Sequence, residues 1–192
     1  MEEKYTTEKK FDKKDFQENY LSKGTYEKCD FSNCNFYNSD ISQIIFIDCK
    51  FSSCNLSMVN INDTTFNGIN FKDCKMLGLR FDKCNDFGLS FSFENCILNH
   101  SSFFKKKIKK TNFCDSKLIE TDFSSCDLTN SVFDNCDLSR AIFQNTILEQ
   151  TDFRTSYNFS IDPDNNRIKK AKFSLIGAAG LLNKYDIEIE GL

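Results

Sequence analysis

The chain has 192 residues and a formal net charge of −3, with twenty-one Phe and ten Cys against seven Gly, one Pro, one His and no Trp. That length suits one domain, no apolar run approaches the roughly 18–20 residues of a membrane span, and the opening MEEKYTTEKK lacks the apolar core of a signal peptide, so neither a membrane span nor export is expected. A mean hydropathy of −0.47 beside so much Phe requires those rings to be placed regularly, or the chain would aggregate.

Residues 1–10 read as a lead-in. From Phe11, every fifth residue is apolar: Phe11, Phe16, Leu21, Tyr26, Phe31, Phe36, Ile41, Phe46, Phe51, Leu56, Ile61, Phe66, Phe71, Met76 and Phe81. A phase slip of two follows within residues 82–92. The count then resumes at Phe93, Leu98, Phe103, Ile108, Phe113, Leu118, Phe123, Leu128, Phe133, Leu138, Phe143, Leu148 and Phe153. With 40% of residues apolar, chance does not produce such a run. A period of five suits neither a helix (3.6) nor a strand (2). It does suit a coil of four short sides with one large inward side chain on each. Residues twenty apart are then expected to stack, and Phe11, Phe31, Phe51 and Phe71 share that spacing, as do Phe93, Phe113, Phe133 and Phe153.

Nine of the ten cysteines (Cys29, Cys34, Cys49, Cys54, Cys74, Cys84, Cys96, Cys126 and Cys136) lie two residues before a register position, and Cys114 does not. Ser, Thr and Ala share that position, which marks a narrow inward site, since alternate residues of an extended segment face the same way. The cysteines therefore read as small core residues. The close C-x-x-C pairs of a zinc site are missing, so no metal or cofactor is expected. Between the small and large positions stands an Asp or Asn, suited to bonding nearby backbone in a turn. Lys106 is an exception: a charged residue at an inward small position, expected to distort the coil locally or to snorkel outward.

Units such as CDFSN, CNFYN, SCDLTN and NCDLSR resemble the pentapeptide-repeat family across about residues 11–158. The resemblance implies an all-β solenoid, a right-handed quadrilateral β-helix. At ~4.8 Å per coil, its rod would be roughly 35 Å long. Within it, the slip at 82–92 reads either as a tolerated kink or as a protruding contact loop carrying Asp86, Phe87 and Leu89. After it comes FKKKIKK at 104–110, which reads first as a solvated face, so direct nucleic-acid binding is not expected. From residue 111 to 158 the acids Asp115, Glu120, Asp122, Asp127, Asp134, Asp137, Glu149 and Asp152 face only Lys117, Arg140 and Arg154, a net of −5.

Residues 159–192 read as a cap and dimerisation segment. A turn forms at Pro163, and Ala171-Lys172-Phe173 makes a last repeat side. A short helix then places Leu175, Ile176, Ala179, Leu182 and Tyr185 at helical spacing, followed by a β tail at Ile187-Glu188-Ile189. This end resembles those of the McbG-type microcin-immunity and Qnr/MfpA-type quinolone-resistance branches of the family. That resemblance implies a non-enzymatic homodimer that protects a type II topoisomerase, gyrase or topoisomerase IV, from poisons, with partial DNA mimicry by the acidic residues. A cytoplasmic location is expected from ten reduced thiols in a chain without a signal peptide. The alternative is a rigid scaffold for an unknown protein target. A duplex carries one charge per ~1.7 Å, so a 35 Å mimic would need about twenty negative charges, and only the C-terminal half approaches that density. No recurring nucleophile, carboxylate pair or Gly-rich phosphate loop points to an enzyme.

Overall fold

The computed structural model describes residues 4–190. The chain winds as a parallel β-solenoid whose large inward residues define four sides. Side one carries Phe11 and its equivalents, side two Phe16, side three Leu21 and side four Tyr26. On side one, seven short strands form one parallel sheet: β2 (Lys10–Asp12), β4 (Asp30–Ser32), β6 (Lys50–Ser52), β8 (Ile69–Lys72), β9 (Phe91–Glu94), β10 (Asn112–Cys114) and β11 (Val132–Asp134). On side four, β1 (Tyr5–Thr7), β3 (Thr25–Glu27), β5 (Ile45–Ile47) and β7 (Thr65–Asn67) form a second sheet. Partners are twenty residues apart, as in Phe31↔Phe51 and Phe113↔Phe133. Across the slip Phe71 pairs with Phe93, twenty-two residues on. The ladder already begins at Tyr5↔Thr25, inside the stretch read as a lead-in, where Thr6 breaks the apolar register and hides the repeat.

The inward columns form the core. On side one, the rings of Phe11, Phe31, Phe51, Phe71, Phe93, Phe113, Phe133, Phe153 and Phe173 stack with centroids 4.7–5.4 Å apart, without a break. Columns on opposite sides meet edge to face across the interior, as at Phe113–Phe123, a geometry aromatic rings prefer.

The small position has a role the sequence did not show. At most coils its side chain donates to the carbonyl of a large residue one coil earlier: Cys54 Sγ to Phe31 O at 3.3 Å, Cys126 Sγ to Phe103 O at 2.8 Å, Thr64 Oγ1 to Ile41 O at 2.8 Å, and Ser131 Oγ to Ile108 O at 3.1 Å. Cys, Ser and Thr interchange there because each is small and each brings a donor. The nine cysteines at this position are buried and free, and Cys114 is half-exposed. Burial pushes the thiols of Cys49, Cys126 and Cys136 up to about 12, largely silencing them as nucleophiles.

The corners follow from the polar positions. Two residues after most large residues the backbone enters the left-handed region, as at Asn33 (φ 55°), Lys105 (φ 61°) and Asn135 (φ 51°). Asp or Asn just before the large residue accepts the backbone N–H two residues on: Ser124 N to Asp122 Oδ1 at 2.8 Å, Thr129 N to Asp127 Oδ1 at 3.2 Å, and Ser139 N to Asp137 Oδ1 at 3.1 Å. These carboxylates build turns before they do anything else.

The C-terminal segment departs from the expected helix and β tail. Residues Gly177–Leu181 and Asn183–Tyr185 form two short 3₁₀ turns, and Ile187 and Ile189 lie in no strand. The cause is close packing against Phe159: a Cβ at Gly180 would lie 2.4 Å from the Phe159 carbonyl oxygen, and one at Gly177 3.0 Å from its ring. The glycines allow that approach and disfavour a regular helix. Leu181 packs against the core and Ala179 is half-buried, while Leu175, Ile176, Leu182 and Tyr185 are exposed.

Candidate functional site

Two sequence anomalies, the phase slip and Lys106, turn out to be one structure. Continuing the first register by five from Phe81 lands on Asp86, on side four. Its side chain turns out to solvent, leaving that column without a large inward residue between Phe66 and Ile108. Phe91 fills the space from a small-residue position, with centroids 5.3 Å from Phe81 and 5.9 Å from Phe103. Half-buried Leu89 packs against the core beside it.

Lys106 reaches toward the loop from the next coil. Its ammonium donates to the Cys84 carbonyl at 2.7 Å and to Asp86 Oδ1 at 2.5 Å. The Lys106 side chain is 7% exposed and its Asp86 partner 80%. A buried ammonium is costly unless paired and hydrogen-bonded, and the loop supplies both partners. The lysine therefore stays inside instead of snorkelling outward, and its two bonds tie the inserted loop to the next coil.

Residues 85–90 are held further by Phe87 N to Asn85 Oδ1 at 2.9 Å and by Gly68 N to Ser90 Oγ at 2.8 Å. Gly88 has φ +66°, where L side chains are strained. At the tip, Phe87 is 81% exposed. Repacking and protrusion are thus both present: Phe91 and Leu89 turn inward while Asp86 and Phe87 turn outward.

The eight acidic residues do not gather into one stripe. Asp152, Asp137, Asp122 and Asp127 precede the large residues of sides one, two, three and four respectively. Four of the eight are ion-paired: Glu120 with Arg140, Glu149 with Arg167 at 2.7 Å, Asp152 with Arg154 at 2.7 Å, and Asp127 with Lys109 at 3.1 Å. Burial opposes ionisation of Asp127, but hydrogen bonds from Thr129 and Lys109 outweigh it and hold the carboxyl below its ordinary range. Asp115 and Asp134 remain outside ion pairs among the described residues. Both follow side-one phenylalanines, and Asn135 Nδ2 donates to Asp115 Oδ1 at 2.7 Å. Asp73 and Glu94 follow Phe71 and Phe93 at equivalent places, extending this edge into earlier coils. Both lie before the acidic stretch 111–158, but the repeat, with its slip of two, relates Asp73 to Asp115 and Glu94 to Asp134, and Glu94 is paired with Lys72 at 2.6 Å.

His100 is exposed and lies 3.1 Å from Glu120. Among the described residues no group of three or more His, Cys, Asp or Glu is placed to hold a metal ion. No helix among them is long and apolar enough to cross a membrane.

This architecture defines a class: a parallel β-solenoid built on a five-residue repeat. Family profiles described as "Pentapeptide repeat region" and "Pentapeptide repeats (8 copies)" match residues 21–92 and, in two overlapping segments, 107–154. The chain belongs to the pentapeptide-repeat family. Among solved structures it is similar to a trypsin-treated variant of QnrB1, described as a plasmid-mediated fluoroquinolone resistance protein, with a TM-score of 0.64 at 18% identity over 97% of this chain and 98% of that one. Full-length QnrB1 gives a TM-score of 0.51 at 21% identity over 95% and 97% of the two chains. These likenesses show a shared fold. No curated protein sequence matches the chain significantly.

Proposed function

We propose that the chain is a non-enzymatic binding protein that protects a type II DNA topoisomerase from poisons. The observation that carries this reading is the likeness to QnrB1, a fluoroquinolone resistance protein, along nearly the whole of both chains. The acidic binding surface in this reading is the side-one edge with Asp115 and Asp134, joined by Asp137 on neighbouring side two, whereas Asp122 lies across the coil on side three. Ion pairing of Glu120, Asp127, Glu149 and Asp152 argues against imitation of duplex DNA along the full rod and restricts it to this edge. Supercoiling by gyrase or topoisomerase IV, with and without a quinolone or a peptide poison, tests the reading. Relief of inhibition at micromolar protein supports it, and unchanged inhibition of both enzymes overturns it.

The same reading includes a homodimer through the C-terminal end. Leu175, Ile176, Leu182 and Tyr185 are exposed there, with Ile187 and Ile189 beyond them. So large an apolar surface at one end suits a symmetric contact. Light scattering tests it: a dimeric mass that Ile176→Asp reduces to a monomeric one is expected, and a monomeric wild type refutes it.

A second reading, a rigid scaffold for another protein, is favoured by a different observation, the outward Phe87 on its braced loop.

A further inference from the structure

We propose that the slip loop and the lysine turn form one docking surface, fitting a protein segment with an apolar centre and an acidic rim. The proposal holds whether or not the acidic edge binds a topoisomerase. Its basis is the Lys106 contact with Cys84 and Asp86, which presses residues 85–90 against the coil that carries the lysines. Phe87 is the only large residue of that loop turned fully outward, and its position is fixed by the Lys106–Asp86 pair, by the Asn85 side chain on its own N–H, and by the left-handed turn at Gly88. An exposed aromatic on a braced backbone loses less conformational freedom on binding than one on a free loop, and so makes an efficient anchor in an apolar pocket.

The charge around the anchor is positive. Lys105 stands at the corner between sides three and four, Lys107 on side four, and Lys110 at the corner between sides four and one. These three make no ion pair among the described residues, whereas Lys109 is taken by Asp127. The acidic corner of Asp73 and Asp115, between sides one and two, lies diagonally across the coil. The surface thus presents an apolar point beside three cations outside ion pairs, complementary to an acidic rim.

Single-stranded nucleic acid would want several open aromatic faces along a basic groove. The other outward ring in this area, Phe104, is covered by the Lys105 ammonium 4.9 Å from its centroid, which leaves Phe87 alone. One anchor with flanking lysines matches a protein pocket better than a run of stacked bases.

Fluorescence polarisation with three short labelled probes tests this: a peptide with a Leu/Ile core flanked by Asp and Glu, the same core flanked by Ser and Gln, and a single-stranded DNA oligonucleotide. We expect the acidic peptide to bind at least about tenfold more tightly than the neutral one. Added salt should weaken that binding. Phe87→Ser and the combined Lys105→Gln, Lys107→Gln, Lys110→Gln variant should each abolish the preference, while Lys75→Gln with Lys117→Gln on side two leaves it intact. Circular dichroism identical to wild type confirms that each variant is folded. Absence of binding by the acidic peptide overturns the proposal, as does equal binding of the two peptides. Tighter binding of the DNA that survives Phe87→Ser overturns it in favour of a nucleic-acid surface.

Discussion

Side one and side four begin alike, each with a parallel ladder and an aromatic column, and diverge at one coil. On side one the nine-ring stack passes the slip without a gap, because Phe71 and Phe93 re-pair across twenty-two residues. On side four the column stops at Phe66, Asp86 turns outward, and the later coils stack Ile108, Leu128 and Leu148. The sheet of that side ends at β7 for the same reason, and only isolated bridges such as Lys107↔Asp127 follow. A solenoid tolerates an insertion when one side keeps the stacking register and another absorbs the extra residues. The absorbing side is then free to carry polar and protruding groups that a continuous column would exclude.

The strongest way to test this division of labour is to break the continuous column. Phe113→Ala should cost about 3–5 kcal/mol in denaturant unfolding, because the ring is buried among neighbours that cannot collapse into its place. A smaller loss there would mean that the column is not the stabilising spine. Next is the pH dependence of the small-residue lining. Burial raises the thiols of Cys49, Cys84, Cys126 and Cys136 from an ordinary 9.0 to about 12. The unfolded chain releases these protons first, so their contribution to stability is complete below about pH 9 and declines as pH rises toward 12. Thermal melts across that window should fall steadily, and the corresponding Cys→Thr variants should flatten the decline.

On side four, Lys106→Ala leaves the Cys84 carbonyl without this donor and should cost about 1–3 kcal/mol. Hydrogen exchange should accelerate in residues 85–90 and stay unchanged in β10 and β11. Uniform acceleration would show that Lys106 supports the whole coil and not the loop in particular. The smallest effect is expected at an exposed pair: Arg140→Ala, which removes the partner of Glu120, should change stability by less than about 1 kcal/mol. A larger loss would assign the outer ion pairs a structural weight they are not expected to have.

The repeated contacts were legible in the residues. Phe113, Cys126 and Asp122 each sit at a fixed place in a five-residue unit, so their inward, lining and turn-forming roles follow from spacing. The site was only partly legible. Asp86, Phe87 and Leu89 stood out as breaks in the register, yet nothing local shows that Leu89 turns inward while Phe87 turns outward. Lys106 stood out as misplaced, but its bond to the Cys84 carbonyl, twenty-two residues earlier, depends on the lengthened coil at that level. The acids were easily counted, while their pairing with Arg140, Arg167, Arg154 and Lys109 depends on which side chains meet across coils. Helical spacing misled at the C-terminal end because the close approach of Phe159 to Gly177 and Gly180 is a tertiary contact.

The sequence by itself determined the coil, its four sides, its aromatic columns and its small-residue lining. Each is set by a pattern that every repeat restates, and stacking identical units satisfies all of them together. Only the tertiary structure decided where the extra residues went, which charges were neutralised and which apolar groups stayed outside. Those outcomes rest on single contacts between coils, such as Lys106 with Asp86, that occur once and therefore leave no period to read.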